Sequence, residues 1–273
     1  MADKLLSVLM PVARCDYNFK LTLRSVSQQS YLDFVLIIVC PIDIESQVRD
    51  LVKEIIRPPI CCQILSTGLA GVAFAANLGL SMCNTKYIAR WDSDDLCDET
   101  RLHEQIKILE ERPDVAVVGT RVEIINETGA REEFQKFKFY ETDREIRRAL
   151  KFRQSLLHSS LTFRTDVLFE ARGYLYGHTS EDHELFIRIA RDKNIRFLNL
   201  SGVTTYYRRH GSQLSDISNI SNQFYEISAF MFGEFLRTFN MLYIFGIIVN
   251  IPPIRKARYR YRGMRSFLKK YLG

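Results

Sequence analysis

The stretch Tyr87-Ile88-Ala89-Arg90-Trp91-Asp92-Ser93-Asp94-Asp95 is an apolar segment that ends abruptly in three carboxylates. We interpret the segment as a buried β-strand, and a carboxylate at its end costs free energy unless something binds it. Asp92 and Asp94, one residue apart, would offer oxygen ligands to a hard divalent cation. The alternative is a solvated turn in which Asp95 or Asp98 caps a following helix. This stretch alone favours neither interpretation.

The composition is that of a globular protein. With 273 residues, 47% of them hydrophobic, the chain can bury the core of one large domain or slightly more. Six cysteines lie mostly in apolar segments and form no Cys-x-x-Cys pair: Cys15, Cys40, Cys61, Cys62, Cys83 and Cys97. We expect free thiols in a reducing compartment. The apolar run at 5–12 is too short for a secretory signal and contains Pro11, so a cytoplasmic protein is expected.

The first 120 residues alternate short apolar runs with helical patterns, which is typical of βαβ units and a mainly parallel sheet. The predicted strands are 5–10, 34–40, 60–65, 86–91 and 115–118. The predicted helices are 19–29, 45–56, 72–82 and 99–111. Ligands of such sheets gather at the carboxyl ends of the strands. The acidic residues 92–95 fall at one of these ends, which favours the site interpretation.

After residue 119 the pattern is less regular. We predict strands at 134–139, 155–163 and 203–207. Thr142 and Glu145 have the spacing of a capping box that opens a helix ending near Lys151. Ser180 is predicted to be the N-cap of a helix over 181–192.

The C-terminal region combines apolar and cationic segments. An amphipathic helix is predicted at 219–239, and the apolar run 241–251 is shorter than the roughly 20 residues that cross a bilayer. Residues 255–273 carry eight basic and no acidic residues, interleaved with aromatics, whereas residues 1–254 carry 30 basic against 32 acidic residues. We expect this region to lie on an anionic membrane surface. The alternatives are a core or oligomer helix with a solvated tail, or a nucleic-acid patch, which would leave the apolar run unexplained.

Other candidate functional residues lie further along the chain. Glu181 and Asp182 begin a predicted helix, so they either satisfy its free backbone donors or supply a general base for a hydroxyl. The small residues of 71–79 allow close approach of a ligand, or tight packing of a helix on the sheet. Arginines and a histidine in 206–211 could meet phosphate, and His158 is a further candidate.

These motifs, in this order, resemble the family 2 glycosyltransferases of GT-A fold over about residues 5–215. The resemblance is carried by Val8-Leu9-Met10-Pro11-Val12, Ser25-Val26-Ser27-Gln28-Gln29-Ser30-Tyr31, Ile37-Ile38-Val39, Ala75-Ala76-Asn77-Leu78-Gly79, Ala89-Arg90-Trp91-Asp92-Ser93-Asp94-Asp95, Arg101-Leu102-His103-Glu104-Gln105, Pro113-Asp114-Val115-Ala116-Val117-Val118-Gly119, His158, Gly173-Tyr174, Glu181-Asp182-His183-Glu184-Leu185 and Tyr207-Arg208-Arg209-His210. Each motif alone is a weak indication of the family. Together, in the order found in the family, the motifs make the resemblance specific.

The resemblance implies a role for each candidate. Asp92 and Asp94 match the family's DxD pair, with His210 as a further ligand of Mn²⁺ or Mg²⁺. Asp182 matches the general base that deprotonates the acceptor in an inverting displacement. The residues implied to bind the nucleotide sugar are Pro11, Asp43, Asn77, Arg90, Asp92 and Asp94. The residues implied on the acceptor and diphosphate side are His158, Glu181, Arg208 and His210.

Two departures from the family pattern narrow the expectation. Where members carry an Asp-Asp-Gly or Asp-Gly-Pro element, this chain reads Val39-Cys40-Pro41-Ile42-Asp43, so Asp43 would have to substitute. The sequence therefore predicts the type of reaction more closely than it predicts the nucleotide of the donor, for which UDP is favoured. Polymerising relatives carry Gln-x-x-Arg-Trp and spanning helices, but the only tryptophan here is Trp91. Transfer of a single sugar is expected.

The expected fold is an α/β, Rossmann-like GT-A domain with a mainly parallel central sheet flanked by helices, over 1–215. Residues 1–120 would bind the nucleotide sugar, 121–215 the acceptor, and 216–273 would form a helical, membrane-associating extension. The implied acceptor is an undecaprenyl-diphosphate-linked saccharide for O-antigen or capsule synthesis at the inner face of the cell membrane, with no nucleic acid involved. Two alternatives remain, a nucleotidyltransferase that makes a nucleotide sugar and a non-catalytic protein of GT-A-like fold.

Overall fold

The computed structural model describes residues 4–132, 138–175, 179–209 and 220–257. Within them one sheet contains eight strands: β1 (Leu6–Pro11), β2 (Phe34–Pro41), β3 (Cys61–Thr67), β4 (Tyr87–Arg90), β5 (Leu96–Cys97), β6 (Val115–Ile125), β7 (Thr162–Arg164) and β8 (Arg196–Arg208). The α-helices that lie wholly within these residues are α1 (Tyr17–Ser27), α2 (Glu45–Ile55), α3 (Val72–Leu80), α4 (Arg101–Glu111), α5 (Asp143–Leu150), α6 (Thr165–Glu170), α7 (Glu181–Ile189), α8 (Ile220–Thr238) and α9 (Met241–Asn250), and residues 252–257 are also helical.

The strand order is β3-β2-β1-β4-β7-β6-β8-β5. The first four strands pair in parallel, as predicted. In the second half, β6 and β8 pair in parallel, whereas β7 runs antiparallel to both β4 and β6 and β5 runs antiparallel to β8. The sheet is therefore mixed, with its parallel part at the amino-terminal end of the chain.

The central strands β1 and β2 are apolar on both faces because helices cover both faces of the sheet. Successive residues of β2 alternate between two cores, with Leu36 in one and Ile37 in the other. The first core is closed by α1, α2 and α4, and the second by α3, α5, α6 and α7. This three-layer arrangement confirms the predicted α/β fold and leaves the carboxyl ends of β1, β2 and β4 free for a site.

The less regular half contains the main corrections. The strand predicted at 155–163 is wrong over most of its length, because residues His158–Ser160 form a 3₁₀ turn and only β7 is extended. The strand predicted at 203–207 is part of the longer β8. The predicted strand 134–139 lies mostly outside the described residues. The capping box of Thr142 and Glu145 is present at the start of α5.

The C-terminal region is helical, and α8 packs against α9. Ser180 occupies the N-cap of α7 as predicted, although its side chain makes no capping hydrogen bond. None of the helices in the described ranges is both long and apolar enough to span a bilayer. The basic residues 258–273 lie outside these ranges. The division of the chain at residues 120 and 215 stays a prediction.

Gly79 provides a test of how α3 packs on the sheet. A Cβ at this position would lie 2.2 Å from Leu9 Cδ1 and 2.9 Å from Val39 Cγ2. Gly79→Ala should therefore lower the free energy of unfolding by about 1–3 kcal/mol, measured by urea denaturation, because the side chains of Leu9 and Val39 must move within a packed core. Gly202→Ala, where a Cβ would meet nothing within 4 Å, is the matched control. Equal stability of the two variants would contradict the packing argument.

Candidate active site

The predicted site residues of the amino-terminal half gather at the carboxyl ends of the parallel strands. Pro11 ends β1, and Asp43 lies exposed in a 3₁₀ turn directly after β2. Asp92 and Asp94 follow β4, which is the neighbour of β1 in the sheet. Residues 92–95 thus lie at the edge where sheets of this class bind ligands, in agreement with their interpretation as a site.

Arg90 is a buried cation at the edge of this group. Its side chain is 2% exposed and forms an ion pair with Asp92, with Nη2 lying 2.7 Å from Oδ1. Nη1 donates to the carbonyl oxygen of Trp91. The buried Nε of Arg90 has no hydrogen-bond partner among the described residues. Arg90 therefore orients Asp92 and retains an unused donor inside the protein.

Asp95 is fully buried and holds three parts of the chain together. One carboxylate oxygen accepts a hydrogen bond from Ser159 Oγ, and the other accepts from the backbone N–H of Arg208 at 2.9 Å. Burial, with the charges of Asp94 and Asp92, raises the pKa of Asp95 well above its ordinary value. Asp95 is a supporting residue and not a helix cap, because it is Asp98 that accepts from the backbone N–H of Thr100 before α4.

Arg208 is buried at the end of β8 and holds the acidic segment from behind. Its Nε donates to the carbonyl oxygen of Asp94 at 2.9 Å, and its Nη1 donates to those of Asn126 and Glu127. The sequence-based expectation that Arg208 lies on the acceptor and diphosphate side stays a prediction. Because the guanidinium binds backbone carbonyls, it positions the loop that carries Asp94.

The second carboxylate pair lies at the amino-terminal turn of α7. Asp182 Oδ2 accepts from Gln154 Nε2 at 2.5 Å, and its Oδ1 accepts from the backbone N–H of His183 at 2.7 Å. Burial raises the pKa of Asp182 to about 6, while the Gln154 hydrogen bond opposes the rise. Burial and the charge of Asp182 raise the pKa of Glu181 to about 8. Asp182 is thus a carboxylate close to its point of ionisation at neutral pH, as a general base requires.

The two acidic groups share one electrostatic environment. The negative charge of Asp92 raises the pKa values of both Glu181 and Asp182, and the positive charge of Arg90 lowers that of Glu181. The carboxylates outnumber the nearby cations, and their oxygens are the ligands that Mn²⁺ and Mg²⁺ prefer. The donor set of Asp92 and Asp94 therefore fits a divalent cation.

The third predicted metal ligand, His210, lies outside the described residues. Among those that are described, no group of three or more histidine, cysteine, aspartate or glutamate side chains is arranged to hold a metal.

His158 and Asn77 are connected through Tyr174. The His158 Nε2 and the Tyr174 hydroxyl lie 2.6 Å apart, and burial lowers the pKa of His158 well below its ordinary value, which keeps the ring neutral. The Asn77 amide donates to the carbonyl oxygen of Tyr174 at 2.7 Å and accepts from its N–H at 2.9 Å. Asn77 thus joins α3 to the backbone of Tyr174, whose hydroxyl contacts His158. Its contact with a nucleotide sugar stays a prediction.

Sequence reasoning missed two residues that act on the site, Gln154 and Ser159. Gln154 lies in an irregular segment 28 residues before Asp182, and Ser159 lies in a 3₁₀ turn 64 residues after Asp95. No periodicity or local motif marks either residue. Only the adjacent Ser-Ser and the nearby His158 drew attention to this segment.

The residues 7–168 match the model of the family described as glycosyl transferase family 2. This range exceeds half of the chain and includes the acidic segment 92–95. The chain belongs to glycosyl transferase family 2. It is therefore an enzyme of the glycosyltransferase type, and the nucleotidyltransferase and non-catalytic alternatives are set aside.

Individual relatives agree with the family assignment. The chain is 32% identical over 236 residues to the O-antigen biosynthesis glycosyltransferase WbnJ of Escherichia coli, covering 85% of this chain and 89% of that protein. It is 27% identical over 232 residues to the E. coli UDP-Glc:alpha-D-GlcNAc-diphosphoundecaprenol beta-1,3-glucosyltransferase WfgD, covering 83% and 84%. These alignments extend well beyond the matched family range.

A solved structure has the same fold. The mannosyltransferase PcManGT of Pyrobaculum calidifontis, determined in complex with GDP-Man and Mn²⁺, superposes with a TM-score of 0.62 at 15% identity. The match covers 85% of this chain and 64% of the archaeal chain. At this identity the likeness shows the fold alone.

Arg208 provides a test of how the acidic loop is held. Arg208→Met should lower the free energy of unfolding by about 2 kcal/mol or more, measured by urea denaturation, because three backbone carbonyls lose a buried donor. Arg209→Met is the neighbouring control, since the hydrogen bond of Arg209 to the described part of the chain, with the carbonyl oxygen of Ile125, comes from its backbone N–H and survives the substitution. A stability loss no larger than that of the control would contradict the positioning role.

Proposed function

We propose that this enzyme is an inverting, metal-dependent glycosyltransferase that moves one sugar from a nucleotide sugar, with UDP favoured, to a saccharide acceptor. The observation that carries the proposal is the juxtaposition of the two acidic groups. The charge of Asp92 acts on Asp182, so a donor held at the end of β4 and an acceptor hydroxyl at the start of α7 would meet in one place.

Asp182 is the proposed general base. As the acceptor oxygen attacks the anomeric carbon, its proton passes to a carboxylate oxygen of Asp182, and the bond from that carbon to the diphosphate oxygen breaks. Gln154 and the N–H of His183 hold the carboxylate at the helix terminus, where the partial positive charge favours its ionised form. Glu181 is 9% exposed, and burial with the charge of Asp182 raises its pKa to about 8, which favours a protonated form that would donate a hydrogen bond on the acceptor side.

The donor side is the acidic segment after β4. A Mn²⁺ or Mg²⁺ held by Asp92 and Asp94 would supply the positive charge that the leaving diphosphate needs. Arg90 orients Asp92, and Asp95 with Arg208 keeps the segment in place. Pro11 and Asp43, at the ends of the two neighbouring strands, are proposed to contact the nucleotide.

The proposed acceptor is a saccharide linked to undecaprenyl diphosphate, in O-antigen or capsule synthesis. The printed names of the two E. coli relatives support this assignment, since one acts in O-antigen biosynthesis and the other on a diphosphoundecaprenol-linked sugar. The cationic residues 255–273 would draw the enzyme to the anionic inner face of the cell membrane, where such an acceptor is anchored.

A thermal-shift panel of nucleotide sugars, each with and without Mn²⁺, tests the proposed reaction, because a ligand that binds only the native state raises the unfolding temperature. We expect UDP-sugars with Mn²⁺ to give the largest rise. Transfer from the best donor is then measured as the amount of nucleoside diphosphate released. No stabilisation by any nucleotide sugar under either condition would refute the proposal.

The metal assignment is tested at Asp94. Asp94→Ala should lower transfer by about a hundredfold or more and abolish the Mn²⁺-dependent part of the thermal shift, because the leaving diphosphate loses electrostatic stabilisation. Asp50→Asn, an exposed carboxylate on α2, is the control for a general loss of negative charge. Full Mn²⁺-dependent activity of Asp94→Ala would exclude this residue as a metal ligand.

The base assignment is tested by pH dependence. The rate should rise with pH through about 6 as Asp182 loses its proton, and Asp182→Asn should lose transfer while still binding the donor. Gln154→Leu removes a hydrogen bond that lowers the pKa of Asp182, so the acidic limb should move to higher pH by about one pH unit. Gln47→Leu, an exposed residue of α2, should leave the profile unchanged. An unmoved acidic limb in Gln154→Leu would count against Asp182 as the base.

A further inference from the structure

The two C-terminal helices, which pack against each other, each expose apolar side chains to solvent. We call this surface the hairpin face, and it comprises Phe232, Leu236, Phe239, Leu242, Phe245 and Ile248. Each of these side chains is 38–78% exposed. On α8 they follow helical spacing, as do those on α9, so each helix contributes one stripe. Exposed apolar surface of this kind marks an interaction site.

The hairpin face is not the side on which α8 packs against the rest of the protein. That side carries Ile227 and Met231, which are 6% and 0% exposed. An ordinary surface helix is apolar toward the core and polar toward solvent. Since α8 carries apolar residues on both sides, its solvent-facing side is available to a partner.

Phe239, between the two helices, is the most exposed member of the hairpin face. Its backbone has φ of +51°, in the left-handed region that usually takes glycine or asparagine at the end of a helix. Its ring meets that of Phe235 edge-on, with centroids 6.2 Å apart, and 78% of the residue remains exposed. The turn between the two helices therefore presents an aromatic ring to solvent.

The charge of the region identifies the kind of surface. Residues 219–273 carry nine basic against two acidic residues. The acidic Glu234 is buried between Arg191 and Arg237, which remain 43% and 48% exposed. An exposed apolar patch with cationic surroundings is complementary to an anionic bilayer, in which apolar side chains enter the interface and cations meet the headgroups.

We propose that the hairpin face inserts into the interface of an anionic lipid bilayer and forms the main membrane contact of the enzyme. This inference rests on the proposed function insofar as the acceptor is lipid-linked. It differs from attraction by the basic tail, which supplies charge without fixing an orientation. A second copy of the chain is the competing occupant.

The hairpin is attached to the segments on both sides of the proposed base. On the α8 side, Phe230 packs edge-on against the ring of His183, with centroids 5.3 Å apart, and Glu226 accepts hydrogen bonds from Thr179. On the α9 side, Asn250 donates to the carbonyl oxygen of Phe152 at 2.9 Å.

Close packing reinforces this second attachment. Gly246 lies so near Lys151 that a Cβ would come within 2.0 Å of that residue's carbonyl oxygen. The segment of Lys151 and Phe152 continues directly to Gln154, which holds Asp182. A bilayer-bound hairpin would thus set the height of Asp182 above the membrane, where the sugar of a lipid-linked acceptor projects.

Flotation with lipid vesicles tests the inference without any sugar substrate. The wild-type chain should float with phosphatidylglycerol-containing vesicles, and the double substitution Phe239→Ser, Phe245→Ser should reduce partitioning by about tenfold or more, because two phenyl groups leave the interface. Phe169→Ser is the matched control, since Phe169 on α6 is 49% exposed and Phe245 is 52% exposed. Raised salt should weaken wild-type binding only in part.

A fluorescence measurement gives an independent readout. Trp91 is fully buried, so brominated lipids should quench an added tryptophan in Phe245→Trp and not in Phe169→Trp. Unchanged flotation of the double variant, or absence of quenching in Phe245→Trp, would overturn the hairpin contact and leave the tail as the membrane determinant. Light scattering that shows a dimer dissociated by the double substitution, with unchanged flotation, would assign the face to a second copy. Because flotation needs no turnover, failure of transfer alone would refute the proposed function and not this inference.

Discussion

The arrangement of the site depends on the buried carboxylate of Asp95. A charge-bearing group in the interior must be hydrogen-bonded, and Asp95 satisfies this requirement with Ser159 and with the backbone of Arg208. These partners belong to the turn before β7 and to the end of β8, so one side chain fixes the acidic segment against both. Asp92 and Asp94 then project from a segment whose backbone cannot easily move. A group of ligands held in this way loses little entropy on binding.

The electrostatics of the site follow from the packing of like charges. Asp92, Glu181 and Asp182 lie near enough for the negative charge of one to raise the pKa of another, and Arg90 offsets only part of it. Neighbouring carboxylates repel one another in the protein alone. Binding a cation or a proton relieves this repulsion. The same excess of carboxylates would account for the proposed binding of a metal ion after β4 and for the raised pKa of the carboxylates at the start of α7. The two roles are separated by the element on which each carboxylate lies.

The C-terminal helices α8 and α9 are connected to this arrangement. α8 contacts His183, and α9 contacts Phe152, two residues before Gln154. His183 and Gln154 both donate hydrogen bonds to the proposed base, Asp182. The other side of the two helices exposes aromatic and aliphatic residues that the described chain does not cover. Position at a membrane and orientation of the base would then be coupled through rigid packing, with no moving part required. A lipid-linked acceptor suits such a geometry because its sugar lies at a fixed distance from the bilayer.

The sequence by itself determined the alternation of strands and helices through residue 111, the α8 and α9 helices and the acidic ends of β4 and α7. Hydrophobic period and capping residues are local signals, and they predicted these elements because each signal is complete within about 15 residues. The ordered motifs also sufficed to indicate the family. The tertiary structure was needed to show that β7 reverses direction, that Gln154 holds Asp182 and that Arg208 binds the loop of Asp94. These outcomes join residues from 28 to 114 positions apart, and partners at such separations are selected by burial and hydrogen-bond satisfaction in the folded chain, which leave no periodic trace in the sequence.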